Sequence, residues 1–370
     1  MNIAPFKLER YFARYEFIVD YVLCGSDCES MTIADLLALE PGAEERFMNH
    51  WLGYTESPGS PSLRAEISNL YQEMPAGNIL VHTGAEEAIF LFMQAVLEPG
   101  DHVIVQWPCY QSLAEVARSM GCGVSRWEAR EEADWEPDVD ELQRLLTSKT
   151  RALVINSPHN PTGGLLSRGA FDRVVDLADR EQIVLFSDEV YRGTEHEPDQ
   201  QLPAACDVSA NAVSLGVMSK TYGLPGLRIG WVATANQDIL SGMAALKDYT
   251  TICSSAPSEF LAEVALRHRG EIVERNLGLI RENLELVEGL LARHGDRLSW
   301  SRPRAAPIAF PRLLNGDVED FCHRLVTREG VLLLPGTLYD HPGNHFRIGY
   351  GRKNLQEGLA RLERFLEAEK

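Results

Sequence analysis

The chain has 370 residues, 45% hydrophobic and 24% charged, which is an ordinary composition for a soluble globular protein. This length exceeds one compact core and predicts two domains. Asp and Glu outnumber Lys and Arg by 54 to 35, and the net charge of −19 disfavours a nucleic-acid or anionic-membrane partner. No signal-peptide pattern is present, and no apolar run approaches the roughly 18 residues that span a membrane. The seven cysteines lack a zinc-type double CxxC, so we expect reduced thiols, no metal and a cytoplasmic protein.

Five short apolar runs in the middle of the chain alternate with amphipathic segments. Runs that are apolar on both faces are typical of parallel strands covered by helices. The alternation therefore predicts an α/β fold, a mostly parallel sheet with helices on both faces. One of the intervening helices is expected to begin at Ser167, whose side chain can cap it. The predicted strands are 102–107, 151–157, 182–188, 212–219 and 228–234.

The pattern of the sequence changes after about residue 255. A long charged segment with helical period, Glu259–Arg293, is followed by short apolar runs among helical patterns. This succession predicts a smaller α+β domain at the C-terminal end. We therefore expect three units: an N-terminal segment at 1–45 that packs on the small domain, a large domain at 46–258, and the small domain at 259–370.

Polar side chains follow three successive predicted strands: Asn160 after the first, Asp188 and Tyr191 after the second, and Lys220 after the third. Ligands bind at the carboxyl ends of strands in open α/β sheets, so these side chains are expected to converge. Lysine is rarely buried unless it is paired or has a chemical task, so Lys220 indicates an amine nucleophile. A turn at Asn160 and a helix cap at Asp188 are the competing structural interpretations.

The residue types around this expected site suit a phosphorylated aromatic aldehyde. An amine attacks a carbonyl, and a buried aspartate keeps a pyridinium nitrogen protonated. A helix that opens at Gly84 and Ala85, together with the guanidinium of Arg228, suits a phosphate. The ring of Tyr110 can stack on a flat ligand. These groups together indicate pyridoxal 5′-phosphate (PLP).

The motifs that carry this chemistry resemble those of the fold-type I PLP-dependent enzymes of aminotransferase class I/II. They are Asn160–Gly163, Ser187–Tyr191, Ser219–Lys220 with Arg228 after it, and Arg347. The resemblance covers nearly the whole chain. It implies PLP as cofactor and transfer of the α-amino group of an L-amino acid to a 2-oxo acid. It also implies cis peptide bonds at Asn160–Pro161 and, as a further candidate, at Trp107–Pro108.

The same resemblance implies roles at the cofactor ring. Lys220 would carry the cofactor as an aldimine and then act as the catalytic base. Asp188 would pair with the pyridine nitrogen, and Tyr191 and Asn160 would hydrogen-bond the ring oxygen. Tyr110 would stack on the ring.

Further implied roles concern the phosphate, the substrate and a second subunit. Arg347 would bind the substrate α-carboxylate, with Gly25 and Asn160 also at the substrate. Tyr54 would reach the phosphate of the neighbouring subunit, which implies a homodimer with shared sites. The groups that would hold the phosphate are Gly84, Ala85, Glu86, Ser219 and Arg228.

The chain departs from the common class I/II pattern near its start. Residues 23–37 and 247–262, with the segment Ser157–Gly163, are similar to those of capreomycidine synthases, which eliminate and cyclise a hydroxylated arginine derivative. A PLP-dependent lyase or cyclase that acts on a modified, basic amino acid is therefore the alternative to transamination. The motifs at the strand ends do not separate these reactions.

Three residues keep two interpretations each. Asp27 and Glu29 are either solvated loop carboxylates or receivers of a cationic substrate side chain. His159 either shuttles a proton or packs beside the cofactor. Two other protein classes are disfavoured. No GxGxxG motif follows an early strand in this chain, which disfavours a dinucleotide oxidoreductase. The chain has no room for the added DNA-binding domain of a PLP-binding transcription regulator.

Overall fold

The structure is a computed structural model that describes residues 2–368, so the outer ends of the predicted units, at Met1 and at Glu369 and Lys370, lie outside the described residues. The strands are β1 Tyr21–Val22, β2 Ile79–His82, β3 His102–Trp107, β4 Gly123–Glu128, β5 Thr150–Asn156, β6 Val184–Asp188, β7 Ala212–Val217, β8 Gly230–Ala233, β9 Leu298–Ser299, β10 Ile308–Ala309, β11 Arg312–Leu313, β12 Val331–Leu332, β13 Leu334–Pro335 and β14 Phe346–Gly349.

The described helices surround these strands along the whole chain. They are α1 Lys7–Tyr15, α2 Ile33–Ala38, α3 Ala43–Met48, α4 Pro61–Ser68, α5 Ala85–Val96, α6 Ser112–Ser119, α7 Val139–Leu145, α8 Arg168–Glu181, α9 Ala205–Val208, α10 Gln237–Lys247, α11 Ala256–Arg267, α12 Arg269–Arg293, α13 Val318–Glu329 and α14 Leu355–Ala368. None of these described helices is long and apolar enough to cross a membrane.

A seven-stranded sheet in the order β2-β8-β7-β6-β5-β3-β4 forms the centre of the fold. Successive strand residues point to opposite faces, so Val105 packs with α5, α6 and α10, whereas Ile104 packs with α7 and α8. Helices therefore cover both faces, and the predicted α/β class is confirmed. The predicted cap is also confirmed, since the Ser167 hydroxyl accepts a hydrogen bond from the Ala170 N–H at 3.2 Å and begins α8.

The five predicted strands appear with ends shifted by at most about two residues, but the last one runs the wrong way for a uniformly parallel set. β8 is antiparallel to both of its neighbours, β7 and β2. Parallel neighbours need a crossover connection, usually a helix, and the chain between Val217 and Gly230 holds only turns and a short 3-10 segment. The connection therefore folds back at one edge of the sheet. β2 and β4 escaped prediction because β2 is short and β4 is a half-exposed edge strand.

The C-terminal part builds small sheets on a second core. β14 pairs antiparallel with β10 and β13, and β9 pairs with β11. The single helical pattern expected at 259–293 is broken at His268 into α11 and α12. The N-terminal segment pairs β1 in parallel with β12, while the Lys7 N–H bonds the Gln111 side chain at 2.9 Å beside the central sheet. The division of the chain at residues 45 and 258 stays a prediction.

Candidate active site

A cavity of about 590 Å³ lies at the carboxyl ends of β5, β6 and β7. Gly84 does not line this cavity but lies against the Arg228 side chain, which does. Tyr54 lies outside the cavity. The predicted site residues that line the cavity are Gly25, Ala85, Glu86, Tyr110, Asn160, Asp188, Tyr191, Ser219, Lys220, Arg228 and Arg347.

The reversal at β8 explains why Lys220 and Arg228 share this cavity. The segment between β7 and β8 leaves and re-enters the sheet at the same edge, where Val217 pairs with Gly230. Gly230 also pairs with His82 at the end of β2, so the turn after β2 comes beside Arg228. One antiparallel strand thus brings two separate sequence motifs, the turn after β2 and the segment between β7 and β8, to one end of the sheet.

The Lys220 amine lies half-buried in the cavity. Its Nζ donates a hydrogen bond to Ser26 Oγ at 2.8 Å and lies 5.8 Å from the centre of the Tyr191 ring. Burial lowers the pKa of Lys220, and the charge of Arg347 lowers it further, against the opposing effects of Asp27 and Asp188. A lowered pKa leaves more of the amine neutral, which is the form that attacks a carbonyl.

The Asp188 carboxyl is buried without an ion pair to any described residue. Its Oδ1 accepts a hydrogen bond from the Val190 N–H at 3.2 Å. Burial raises the pKa of Asp188 to about 7, against the lowering effects of that bond and of Lys220. The adjacent Glu189 turns away and accepts bonds from the Ala205 N–H and the Ser214 hydroxyl. The motif therefore sends Asp188 to the cavity and Glu189 to a structural task.

The Tyr191 hydroxyl is the clearest unfilled hydrogen-bonding position in the cavity. The side chain is 1% exposed, and its Oη makes no well-formed hydrogen bond with a described residue. Burial raises the pKa of this phenol, although the charge of Arg347 and the nearby Ser26 hydroxyl lower it slightly. A buried polar atom without a partner is costly, so this hydroxyl is suited to a ligand that supplies the missing hydrogen bond.

A backbone cradle forms the far end of the cavity. Gly84 precedes α5 with a φ of +84° and no side-chain cap, so first-turn N–H groups of the helix lack intrahelical partners. A Cβ at Gly84 would lie 2.5 Å from Arg228 Nη2, and one at Gly230 would lie 2.9 Å from the Ala85 nitrogen. Uncapped N–H groups beside a guanidinium make an anion site, and both glycines keep it open.

Arg347 is a buried cation that no described carboxylate pairs with. Its Nε and Nη2 both donate to the Cys24 carbonyl oxygen, at 3.1 and 2.7 Å. Its Nη1 donates to Asn160 Oδ1 at 3.0 Å and to Tyr339 Oη at 2.6 Å. Since neutral acceptors leave its charge uncompensated, the guanidinium is suited to an incoming carboxylate.

The first helix supplies a wall that the sequence did not predict. Phe6, Glu9 and Glu16 line the cavity from the α1 region. Glu9 Oε1 accepts a hydrogen bond from the Tyr110 hydroxyl at 3.3 Å, and the Phe6 and Tyr110 rings lie 4.9 Å apart. No motif marks these residues; their helical spacing was the only available signal.

The two loop carboxylates have different places. Asp27 lines the cavity and accepts bonds from Arg352 Nη2 at 2.7 and 2.9 Å. Glu29 does not line it and instead accepts a bond from the Lys353 N–H at 3.0 Å. Asp27 thus reaches the cavity already paired, and Arg352 is a further wall residue that sequence reasoning missed.

His159 packs behind the cavity. Its Nδ1 lies 2.7 Å from Thr162 Oγ1, and burial lowers the pKa of the ring to about 4. The packing interpretation therefore fits this histidine better than a proton shuttle. The peptide bonds at Asn160–Pro161 and Trp107–Pro108 are cis, as expected, and Ser157–Pro158 is cis as well.

Comparison with known proteins gives the same picture. A family model described as aminotransferase class I and II matches residues 31–362. Capreomycidine synthase of Streptomyces vinaceus is 32% identical, over 96% of this chain and 90% of that protein. A PLP-dependent aminotransferase from Streptococcus suis superposes with a TM-score of 0.94 at 32% identity, over 100% of this chain and 99% of that one. The PLP-dependent cyclase OrfR superposes with a TM-score of 0.92 at 30% identity, with the same coverage.

The chain belongs to the aminotransferase class I and II family. It is an enzyme that uses pyridoxal 5′-phosphate, and it has the fold of the fold-type I PLP-dependent enzymes. The cavity fits this cofactor on three observations: a phenol without a partner at Tyr191, a carboxyl without an ion pair at Asp188, and an anion cradle that a Cβ at Gly84 would obstruct.

Proposed function

We propose that the protein is an aminotransferase that moves the α-amino group of an L-amino acid to a 2-oxo acid. The observation that carries this proposal is the facing of Lys220, Asp188 and Arg347 into one cavity. An amine, a carboxyl and a guanidinium are the groups that a cofactor aldehyde, a pyridine nitrogen and a substrate carboxylate respectively require.

The cofactor would be held at its two ends and across its ring. Asp188 would face the pyridine nitrogen, and Tyr191 and Asn160 would face the ring oxygen. Tyr110 would lie against the ring. When bound, pyridoxal 5′-phosphate supplies a carbonyl for amines and withdraws electrons from the substrate α-carbon. The phosphate would rest on Gly84, Ala85, Glu86, Ser219 and Arg228.

Lys220 would have two tasks in turn. Its neutral amine would bond to the cofactor, and the substrate amine would later displace it. The freed amine would then act as the base that moves the proton of the substrate α-carbon. The lowered pKa of Lys220 serves both tasks, since a protonated ammonium could neither attack nor accept the proton.

Arg347 would fix the substrate by its α-carboxylate. Of its N–H groups, those on Nε and Nη1 and one on Nη2 already have acceptors. An arriving carboxylate would therefore find one N–H on Nη2 that has no acceptor among the described residues. Because the guanidinium is anchored on the Cys24 carbonyl, it would hold the α-carbon in one place relative to Lys220.

We further propose a symmetric homodimer in which Tyr54 serves the neighbour's phosphate. Tyr54 is 87% exposed and lies outside the cavity of its own chain, and Trp51 and Leu52 are exposed beside it. The Thr55 hydroxyl donates to the Ser254 carbonyl at 3.3 Å, which joins this segment to another stretch with exposed apolar residues. Sedimentation of the holoenzyme should give a dimer; an active monomer at micromolar concentration would contradict this.

Single-turnover absorbance measures the proposed reaction. Holoenzyme mixed with its amino donor alone should lose its cofactor absorbance once and release about one keto acid per site, because no acceptor restores the cofactor. Adding a 2-oxo acid should restore the band. A panel of L-amino acids identifies the donor. Continued turnover without any 2-oxo acid would reject transamination for that substrate.

A second candidate is a lyase or cyclase that acts on an amino acid with a cationic side chain. The observation that favours it is the acidic wall, in which Glu9, Glu16 and Asp27 line the cavity together. Arg352 and Lys220 are the cations that lie close to these carboxylates. The relatives include a capreomycidine synthase and a cyclase. Burial and the charges of Glu9 and Asp27 raise the pKa of Glu16, a strain that a substrate cation would relieve.

The same single-turnover scan separates this candidate from the first. A lyase or cyclase should regain its starting absorbance and turn over repeatedly with a basic amino acid and no acceptor. Glu16→Gln should then weaken the binding of a basic substrate by about tenfold, since a charged hydrogen bond is lost. The binding of a neutral substrate should be unchanged. Equal effects on basic and neutral substrates would show that the acidic wall does not bind a cationic side chain.

A further inference from the structure

Tyr339 lies behind the cavity wall, in the short helical turn Gly336–Tyr339 that precedes β14. Its side chain is 3% exposed. Its Oη lies 2.6 Å from Arg347 Nη1 and 3.1 Å from Asn160 Oδ1, and these last two atoms are 3.0 Å apart. The three side chains form a closed triangle of hydrogen bonds. The triangle joins the C-terminal sheet to the loop after β5.

The chemistry of the three groups fixes the direction of each bond. A guanidinium only donates, so the Tyr339 oxygen accepts from Arg347 and its own hydrogen is directed to Asn160. A carboxamide nitrogen does not accept hydrogen bonds, so the Asn160 atom that faces both partners is Oδ1. Nδ2 is therefore turned away from the triangle, and no described residue accepts a hydrogen bond from it.

We propose that Tyr339 is a positioning residue that fixes both the Arg347 guanidinium and the Asn160 amide. This inference rests on the proposed function, in which Arg347 binds the substrate carboxylate and Asn160 faces the cofactor ring oxygen. With both lone-pair directions of Oδ1 occupied, the amide presents its donor Nδ2 to the cavity. The hydroxyl also satisfies the buried Nη1, and this bond persists when a carboxylate binds.

Removing this hydroxyl would loosen both groups. In Tyr339→Phe, Nη1 keeps one acceptor in place of two, and Oδ1 keeps one donor in place of two. The Asn160 amide then turns more freely and donates less to the ring oxygen, and the guanidinium samples more orientations. The ring volume of Tyr339 is kept, so the effect reports on the hydroxyl.

The experiment uses the holoenzyme, with propionate as a carboxylate probe and ligand-observed NMR to measure its Kd. Tyr339→Phe should raise this Kd by about fivefold or more, since a hydrogen bond to a charged group is lost. The control is Tyr350→Phe, because the Tyr350 hydroxyl is buried and donates to the carbonyl oxygens of Ala306 and Ile308 only. That variant should stay within about twofold of wild type, as expected for a bond remote from the triangle.

A second readout follows the absorbance of the bound cofactor against pH. A ring oxygen with a weaker donor holds negative charge less well, so the midpoint for Tyr339→Phe should move to higher pH. The midpoint for Tyr350→Phe should not move. Wild-type values for both Kd and midpoint in Tyr339→Phe, or equal changes in Tyr350→Phe, overturn the proposal. A changed Kd with an unchanged midpoint overturns the part that concerns Asn160.

Arg347→Lys separates this inference from the proposed function. This substitution should weaken the binding of propionate by about tenfold or more, since lysine cannot reproduce the planar donor geometry of arginine. If propionate binds this variant like wild type, the proposed carboxylate site is wrong and the role of Tyr339 is wrong with it. If Arg347→Lys weakens binding and Tyr339→Phe does not, only the role of Tyr339 is wrong.

Discussion

The floor of the cavity and its outer wall are built in different ways. The floor comes from loops that follow neighbouring strands of one sheet, and it holds Asp188, Tyr191 and Lys220. The wall comes from the C-terminal end of α1, the loop after β1 and the strand β14, and it holds Glu16, Asp27 and Arg347. Residues of the floor lie near each other in the chain, whereas the bond from Arg347 to the Cys24 carbonyl spans 323 positions.

This difference separates what the fold must provide from what it can vary. The floor follows from strand order, because one reversal at β8 gathers the turn after β2 and the segment between β7 and β8. The wall depends on how two ends of the chain pack against each other. We infer that the floor sets the cofactor chemistry and the wall sets the substrate, and variants of the two regions should differ accordingly.

The largest effect is expected at the floor, from Lys220→Ala. In the proposed function one residue is both the attachment point and the base, so turnover should fall by more than the roughly 10⁴-fold upper range of a lost general base. Some cofactor should remain bound, because the cradle and Asp188 are untouched. Stopped-flow turnover and cofactor content measure the two effects.

Lys247→Met is the matched control for that variant. Lys247 is fully buried outside the cavity and donates to the Ser57 and Ile252 carbonyl oxygens. Its loss should lower the free energy of unfolding rather than the rate of the chemical step. Comparable loss of turnover per bound cofactor in both lysine variants would contradict the assignment of Lys220.

Asp188→Asn should lower kcat by about 10³-fold, as expected when a preorganised electrostatic partner is lost. It should also change the stability of the apoenzyme with pH. The pKa of Asp188 is raised to about 7 by burial, so the folded protein binds more protons than the unfolded chain between about pH 4 and pH 7. The titration of Asp188 therefore lowers the free energy of unfolding as pH rises through that window.

Thermal unfolding of the apoenzyme measures this second effect. Asp188→Asn should be more stable than wild type at pH 8 and closer to it at pH 5, since the amide has no charge to bury. Burial also raises the pKa of Glu86 to about 7. Glu86 is present in both proteins, so its own contribution to the pH dependence of stability largely cancels in the comparison. An identical difference at both pH values would show that Asp188 does not titrate in this range.

Arg347→Ala tests the wall. Substrate KM should rise by about 10²-fold, because hydrogen bonds to a charged carboxylate are lost. The cofactor absorbance should persist, because no floor residue changes. Steady-state kinetics and an absorbance spectrum check both points. Loss of the cofactor band would contradict the inference that the floor alone holds the cofactor and the wall binds the substrate.

The smallest of these effects is expected from Gly84→Ala, at the cradle. The positive φ of +84° with ψ of 173°, and the 2.5 Å approach of Arg228 Nη2 to a new Cβ, should weaken cofactor binding by about tenfold, since a residue other than glycine costs about 1–3 kcal/mol in this backbone region. Gly77→Ala is the control, since a Cβ there meets nothing within 4 Å. Equilibrium dialysis of the cofactor gives both affinities.

The floor could be predicted from the sequence, and the wall only in part, since Arg347 and Asp27 were named and the residues of the α1 region were not. Strand-end motifs place Asn160, Asp188 and Lys220 together once the order of parallel strands is known. The direction of β8 was missed, because an apolar run does not reveal which way a strand points. Glu9, Glu16 and Tyr339 were missed for a different reason: their positions depend on long-range packing between chain ends, which leaves no local pattern.

The central claim, that Lys220 is the amine that holds the cofactor, has a direct measurement. Borohydride reduction of the holoenzyme fixes any covalent link between a lysine and the cofactor, and digestion with mass spectrometry locates it. The account predicts the added mass on the peptide that contains Lys220. The added mass on a peptide that contains Lys247, or on no lysine peptide at all, would contradict it.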